Sequence, residues 1–89
     1  MTNKDELQTT IQALCLRVTA EADPGASARV LAYFQNLNVV PRRVFVEFGT
    51  TGSLRIKIEV FGLSERLLSL ITAKISQVPA VATAYWHRL

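Results

Sequence analysis

The sequence predicts a single α+β domain with the element order βαββαβ. Three observations favour this fold class: several segments alternate apolar and polar residues as strands do, two others space their apolar residues as helices do, and turn-forming residues separate them. With right-handed crossovers, this order gives a four-stranded antiparallel sheet that carries both helices on one face.

The first strand and the first helix meet at a well-marked turn. Residues 14–21 alternate apolar and polar side chains, which is typical of a half-buried strand and places Cys15 on its outward face. Asp23 is a favourable N-cap residue, and Pro24 suits the first helical position because its missing N–H costs nothing there. The helix is expected to end at Asn38, which tolerates the left-handed conformation. Its apolar stripe comprises Ala26, Val30, Phe34 and Leu37.

A hairpin, a second helix and a last strand follow. Residues 43–48 and 54–60 alternate apolar and polar side chains on either side of a glycine-bounded turn, residues 49–52. Gly62 stops the return strand, Ser64 can cap the second helix, and Pro79 ends that helix. Residues 81–87 form the last strand.

The sheet face without helices is expected to be polar and charged. Because opposite charges are interleaved there, cross-strand ion pairs explain the pattern without a ligand, although converging cations could also bind phosphate. Single-stranded RNA readers of this topology carry aromatics on the two central strands, whereas Phe45 and Tyr85 fall on the edge strands. The predicted open face comprises Arg17, Thr19, Glu21, Arg43, Phe45, Glu47, Arg55, Lys57 and Glu59.

Length and composition fit one folded domain. The chain has 89 residues, of which 49% are hydrophobic, and its net charge of +3 is scattered and only weakly indicates nucleic acid. We assign residues 1–10 to a polar tail and residues 11–89 to the domain. A single cysteine excludes an intramolecular disulfide, and no segment approaches the ~18 apolar residues of a membrane span. We therefore expect a cytoplasmic protein without membrane contact.

The residues that carry chemistry are few. His87 is the sole histidine and Cys15 the sole cysteine, so neither a metal-ligand cluster nor a nucleophile–base pair can be assembled from them. We expect no catalytic residue, no metal and no cofactor. The turn at Asp23, Gly25 and Ala26 is different, because the start of a helix can present backbone N–H groups to a small anion.

The chain resembles the ACT domain, a small βαββαβ regulatory module, over residues 14–89. Residues 23–26, Asp-Pro-Gly-Ala, resemble the family's D/N-x-P-G-x turn, and residues 25–34 resemble the G-A-L-S-R-V-I-x-L-F run of acetolactate synthase regulatory subunits. The resemblance implies a ferredoxin-like fold and an amino-acid site at Asp23, Gly25 and Ala26. Where valine-sensitive members carry asparagines, this chain has Ala22 and Val40, which implies weak or absent valine binding.

We therefore expect a non-catalytic regulatory subunit that forms a homodimer and modulates a partner enzyme. The resemblance points to acetolactate synthase of branched-chain amino-acid biosynthesis, with a small amino acid as effector. Two alternatives share the topology: a free-standing amino-acid or metabolite sensor, and a nucleic-acid-binding domain, although we expect no nucleic acid. An unpaired edge at residues 43–48 and small residues on the first helix place the dimer contact at Ala28, Ala32, Val44 and Val46.

Overall fold

The computed structural model describes residues 12–89, so the predicted tail, residues 1–10, lies outside the described range. The four strands form one antiparallel sheet in the order β2-β3-β1-β4, which confirms the predicted ferredoxin-like βαββαβ fold. Within residues 12–89, neither helix is long and apolar enough to cross a membrane. The elements are β1 (Ala13–Glu21), α1 (Ala26–Asn36), β2 (Arg43–Phe48), β3 (Ser53–Phe61), α2 (Glu65–Ile75) and β4 (Val81–Arg88).

The hydrophobic core lies between the two central strands and the helices. Alternate residues of β1 and β3 point to the helical layer, where the fully buried ring of Phe34 fills the space between α1 and the sheet. Each large apolar side chain buried in this way contributes about 1.5–3 kcal/mol to stability. The core includes Leu14, Leu16, Val18, Leu54, Ile56, Ile58, Val60, Val30, Phe34, Leu68, Ile71 and Ile75.

The start of α1 differs from the predicted one. The helix begins at Ala26 with Gly25 at the N-cap position, and Asp23 and Pro24 lie in the preceding turn. Asp23 accepts the N–H groups of both Gly25 and Ala26, through its side-chain and main-chain oxygens respectively, so the chain completes a turn before the helix starts. At the other end, the helix stops at Asn36, and Asn38 adopts the predicted left-handed conformation with φ 57°.

The later boundaries follow the sequence pattern closely. Gly52 in the hairpin and Gly62 after β3 have φ values of 78° and 74°, the left-handed region that glycine occupies without steric cost. Ser64 caps α2 as predicted, because its Oγ accepts the N–H of Leu67 at 3.1 Å. The helix ends at Ile75, before the turn that contains Pro79.

The burial of two side chains differs from what their sequence positions predict. Cys15 is on the open face but is fully buried, because β1 is central and the register sets Glu59 of β3 and His87 of β4 on either side of the thiol. Burial raises the pKa of Cys15, and the nearby positive charges of Arg17 and Lys57 offset only part of that rise. Leu37 is exposed instead of completing the core stripe, because α1 has already ended.

Candidate functional site

The turn at the start of α1 brings the three predicted ligand residues together. Asp23 O accepts the N–H of Ala26 at 3.0 Å, and Asp23 Oδ1 accepts the N–H of Gly25 at 3.3 Å. Arg29 Nη1 lies 2.9 Å from Asp23 Oδ2, and the guanidinium lies so near Gly25 that an added Cβ would sit 3.3 Å from Nη2. Two backbone donors of the turn are therefore engaged within the chain.

These contacts define what a ligand at the turn requires. An anion there has to displace the Asp23 carboxylate from Gly25 N–H and compete with that carboxylate for Arg29. Ala22 and Val40 are exposed and contribute no polar side-chain atom. A ligand that uses Gly25 N–H or Arg29 therefore has to break an existing contact.

The edge strand β2 carries an exposed apolar surface on the side of the sheet that faces the helices. Val44, Val46 and Phe48 lie opposite the buried Ile58, Ile56 and Leu54 of β3, yet they are 40%, 42% and 68% exposed. α1 leaves this strand uncovered, and within residues 12–89 no strand pairs with its outer edge. We call Val44, Val46 and Phe48 the β2 apolar strip.

The structure separates the predicted interface residues into two groups. Val44 and Val46 belong to the β2 apolar strip, whereas Ala28 is exposed on the outer surface of α1. Ala32 lines a groove of about 620 Å³ between α1 and the end of α2, beside Lys74. Since α2 packs on β1 and β4, this groove is on the side of α1 away from β2.

The predicted interface residues omit two residues on the β2 side, Leu31 and Phe48, although Phe48 belongs to the edge predicted at residues 43–48. Helical spacing of about 100° per residue turns Leu31 toward β2, where it packs against the core while remaining partly exposed. Phe48 is the most exposed member of the strip. The signal for Phe48 was its two-residue spacing from Val46, which places it on the same face of the strand as Val44 and Val46. This spacing does not show, however, that the helical layer leaves that face exposed.

The open face of the sheet carries the predicted charged residues. The register aligns one continuous row across all four strands: Phe45 on β2, Lys57 on β3, Arg17 on β1 and Tyr85 on β4. The row crosses a shallow depression of about 610 Å³, with Arg55 and Glu47 in the neighbouring row. Aromatic rings therefore stand at both ends of a pair of cations.

The expected cross-strand ion pairs do not form on this face. Among residues 12–89, the open-face ion pair within 4.0 Å joins Lys57 Nζ to Glu59 Oε2 at 3.5 Å, and both residues lie on β3. Arg17 Nε instead donates to Nε2 of His87 at 3.0 Å, which makes the imidazole nitrogen the acceptor. The Lys57–Glu59 pair thus joins two side chains on the same strand, and the cross-strand contact of Arg17 is to a histidine and not to a carboxylate.

Groups suited to metal binding or catalysis are sparse. Within residues 12–89, no three side chains of His, Cys, Asp or Glu stand close enough together to hold a metal ion. His87 accepts from Arg17, and its Nδ1 lies 2.9 Å from the main-chain oxygen of Arg88. These two contacts, one at each ring nitrogen, orient the imidazole toward Arg17.

Comparisons with known proteins identify the fold. No family model matches the sequence, and no curated protein matches it significantly. The ACT domain of a GTP pyrophosphokinase from Chlorobium tepidum matches with a TM-score of 0.73 at 15% identity, over 88% of this chain and 100% of that one. The C-terminal domain of the MgtC protein from Mycobacterium tuberculosis matches with a TM-score of 0.73 at 16% identity, over 100% of this chain and 94% of that one.

A larger protein contains the same fold as one part. A homoserine dehydrogenase from Thiobacillus denitrificans matches with a TM-score of 0.71 at 21% identity, over 89% of this chain but only 17% of that one. The chain therefore has the ferredoxin-like fold of ACT domains, a fold that occurs both in isolated domains and within a long enzyme chain.

Proposed function

We propose that this chain is a non-catalytic ACT regulatory module that forms a homodimer through β2 and modulates a partner enzyme. The β2 apolar strip is the observation that carries the proposal. An edge strand with unpaired backbone groups and exposed apolar side chains is favourable for association, because pairing satisfies the backbone and burial removes the side chains from water. Two copies related by a twofold axis would join their sheets through β2.

The partner that we propose is the catalytic subunit of acetolactate synthase, with weak or absent binding of valine. The support for this partner is the likeness of residues 25–34 to the regulatory subunits of that enzyme. The support for weak effector binding is the turn itself, where the Asp23 carboxylate already accepts from Gly25 and pairs with Arg29. A regulator acts by binding two states of its partner with different affinity, so it requires no catalytic residue of its own.

Reconstitution tests the proposal. The purified chain is titrated into the acetolactate synthase catalytic subunit of the same organism, and acetolactate formation is measured with and without millimolar valine. We expect the rate to change and saturate as the chain is added, with no further response to valine. An unaltered rate, together with separate elution of the two proteins, contradicts this partner.

The matched control is Val46→Lys, which places a charge in the β2 apolar strip without touching the turn. If dimerisation through β2 is needed for regulation, this variant should remain folded but lose its effect on the rate. Full regulation by a monomeric Val46→Lys protein would show that modulation of the partner enzyme does not require dimerisation through β2.

A further inference from the structure

The centre of the open face holds two like charges directly opposite each other. Arg17 on β1 and Lys57 on β3 are cross-strand partners, and Arg55 lies one row away on the same face. Like charges in this relation destabilise a sheet, whereas opposite charges stabilise it. The arrangement therefore favours an anion that lies between them.

The local carboxylates neutralise these cations only in part. Glu59 is 3.5 Å from Lys57, but neither Arg17 nor Arg55 has a carboxylate oxygen of residues 12–89 within 4.0 Å. Glu47 is the cross-strand partner of Arg55, so it repels an anion at that side of the depression. The site for an anion is thus strongest between Arg17 and Lys57.

Arg17 is held in place for such a contact. Its Nε–H donates to His87 at 3.0 Å, which leaves the two terminal nitrogens of the guanidinium for other acceptors. A guanidinium fixed by one bond loses less side-chain entropy when a phosphate binds its free edge. His87 is therefore a positioning residue in this arrangement.

The two ends of the row add a surface for a flat ring. Phe45 and Tyr85 are 48% and 55% exposed. Lys57 Nζ forms a cation–π contact with Phe45, 4.8 Å from the centroid of the ring. Tyr85 has no cation over its ring among the described residues, and it lies one strand from Arg17, a spacing of about 5 Å. A base on Tyr85 would therefore direct its phosphates toward Arg17 and Lys57.

We propose that the open face binds a free nucleoside di- or triphosphate. The base stacks on Tyr85, and the phosphate chain lies along the row between Arg17 and Lys57. This site goes beyond the proposed regulatory function and does not depend on association, because Phe45 and the β2 apolar strip lie on opposite faces of the sheet. The failure of one proposal thus leaves the other standing.

Calorimetric titration of the full chain with ATP tests the site, with tripolyphosphate, adenosine and a thymidine hexanucleotide as comparison ligands. We expect ATP to bind more tightly than tripolyphosphate, and adenosine to bind more weakly than either. Arg17→Gln and Lys57→Gln should each weaken ATP binding by about tenfold, because each removes a charge-assisted hydrogen bond to phosphate. Circular dichroism and thermal melting check that each variant is folded.

Matched variants separate the ring from the charge. Tyr85→Ala should weaken ATP binding by about fivefold but leave tripolyphosphate binding unchanged, and Tyr85→Phe should preserve both. Arg66→Gln on α2 removes the same charge from a distant exposed site and should change neither affinity by more than about twofold.

Three results would overturn the proposal. The first is the absence of ATP binding at millimolar concentration, and the second is equal binding of ATP and tripolyphosphate with no effect of Tyr85→Ala. The third is tighter binding of the hexanucleotide than of ATP, lost in Arg17→Gln, which would assign the same face to a nucleic-acid strand. Inhibition of dimerisation by Val46→Lys with ATP binding unchanged is the expected independent behaviour.

Discussion

The two edge strands of the sheet, β4 and β2, differ in their contacts with the helices. On β4, the indole Nε1 of Trp86 donates to Ser69 Oγ of α2 at 2.9 Å, and Arg88 forms a two-pronged ion pair with Glu65 at the start of α2. On β2, by contrast, the side chains on the helical face form the β2 apolar strip, which stays exposed.

The difference supports β2, and not β4, as the edge that we propose for association. β4 pairs with β1 and, in addition, packs against α2, which contributes the polar contacts to Trp86 and Arg88. β2 is held mainly by its pairing with β3, and its apolar side chains gain from burial only when another surface covers them. Both strands are therefore edges of the sheet, but α2 covers the helical face of β4, whereas the β2 apolar strip stays exposed.

Alanine substitution of the largest side chain on each edge tests this contrast. Trp86→Ala should lower the free energy of unfolding by about 3 kcal/mol, because it removes packing against the core and the hydrogen bond to Ser69. Phe48→Ala should cost the monomer about 0.5 kcal/mol or less, because the ring is 68% exposed. Urea denaturation of dilute, monomeric protein measures both changes.

Equal losses for the two variants would break the comparison, since β2 would then be as well anchored as β4. Ser69→Ala serves as the control for the hydrogen bond, and its loss should be well below that of Trp86→Ala because the packing of the indole remains.

Most of the fold could be predicted from the sequence because local signals agree with tertiary packing. The alternation in β1 and β3 predicted the buried faces of these strands correctly. Ser64 caps α2 and Asn38 adopts the left-handed conformation after α1, as their residue types predict. The predicted start of α1 was wrong, because Asp23 can either cap a helix or close a turn that precedes the helix. The local sequence pattern is the same for both, and in the structure the N-cap position is two residues later, at Gly25.

The candidate surfaces were only partly predictable. The burial of Cys15 depends on which strands lie beside β1, and the exposure of the β2 apolar strip depends on the lateral position of α1. Neither quantity is contained in the spacing of residues along one element. The row that joins Arg17 to Lys57 likewise requires the strand register, which the hairpin turn fixes for β2 and β3 but not for β1.

A lysine introduced on either edge strand tests which edge forms the proposed dimer contact. Val46→Lys should raise the dissociation constant of the dimer by about 100-fold, equivalent to about 2.8 kcal/mol, because the ammonium would be buried between apolar side chains. Thr83→Lys on β4 is the control and should leave the constant within about threefold. Sedimentation equilibrium measures both, and a dimer that only Thr83→Lys disrupts would transfer the interface to β4.

The pH dependence of stability tests whether β4 keeps β1 covered. Burial raises the folded-state pKa of Cys15, so the fold favours the neutral thiol. This contribution is fully present below the ordinary thiol pKa and is lost as the pH rises through the raised folded-state value. The unfolding free energy should therefore fall more steeply at alkaline pH in the wild-type chain than in Cys15→Ala, as measured by urea denaturation.

Thiol labelling gives the same test kinetically. In the folded chain at neutral pH, Cys15 should react slowly with a disulfide reagent, and Trp86→Ala should accelerate the reaction while Phe48→Ala does not. Acceleration by Phe48→Ala alone would show that the β2 side, and not β4, controls access to the thiol.

The ion pair on β4 provides the finest distinction between the edges. Arg88 Nη2 donates to Glu65 Oε1 at 2.8 Å while Nε contacts the other carboxylate oxygen, but the arginine is largely exposed and its charge is screened by water. Arg88→Ala should thus lower the unfolding free energy by only about 0.5 kcal/mol, and Arg88→Lys should recover part of that loss. Arg43→Ala on β2, where the described residues supply no ion pair, should have no measurable effect. If Arg43→Ala destabilised the chain as much as Arg88→Ala, the anchoring of β4 by α2 would not distinguish the two edges.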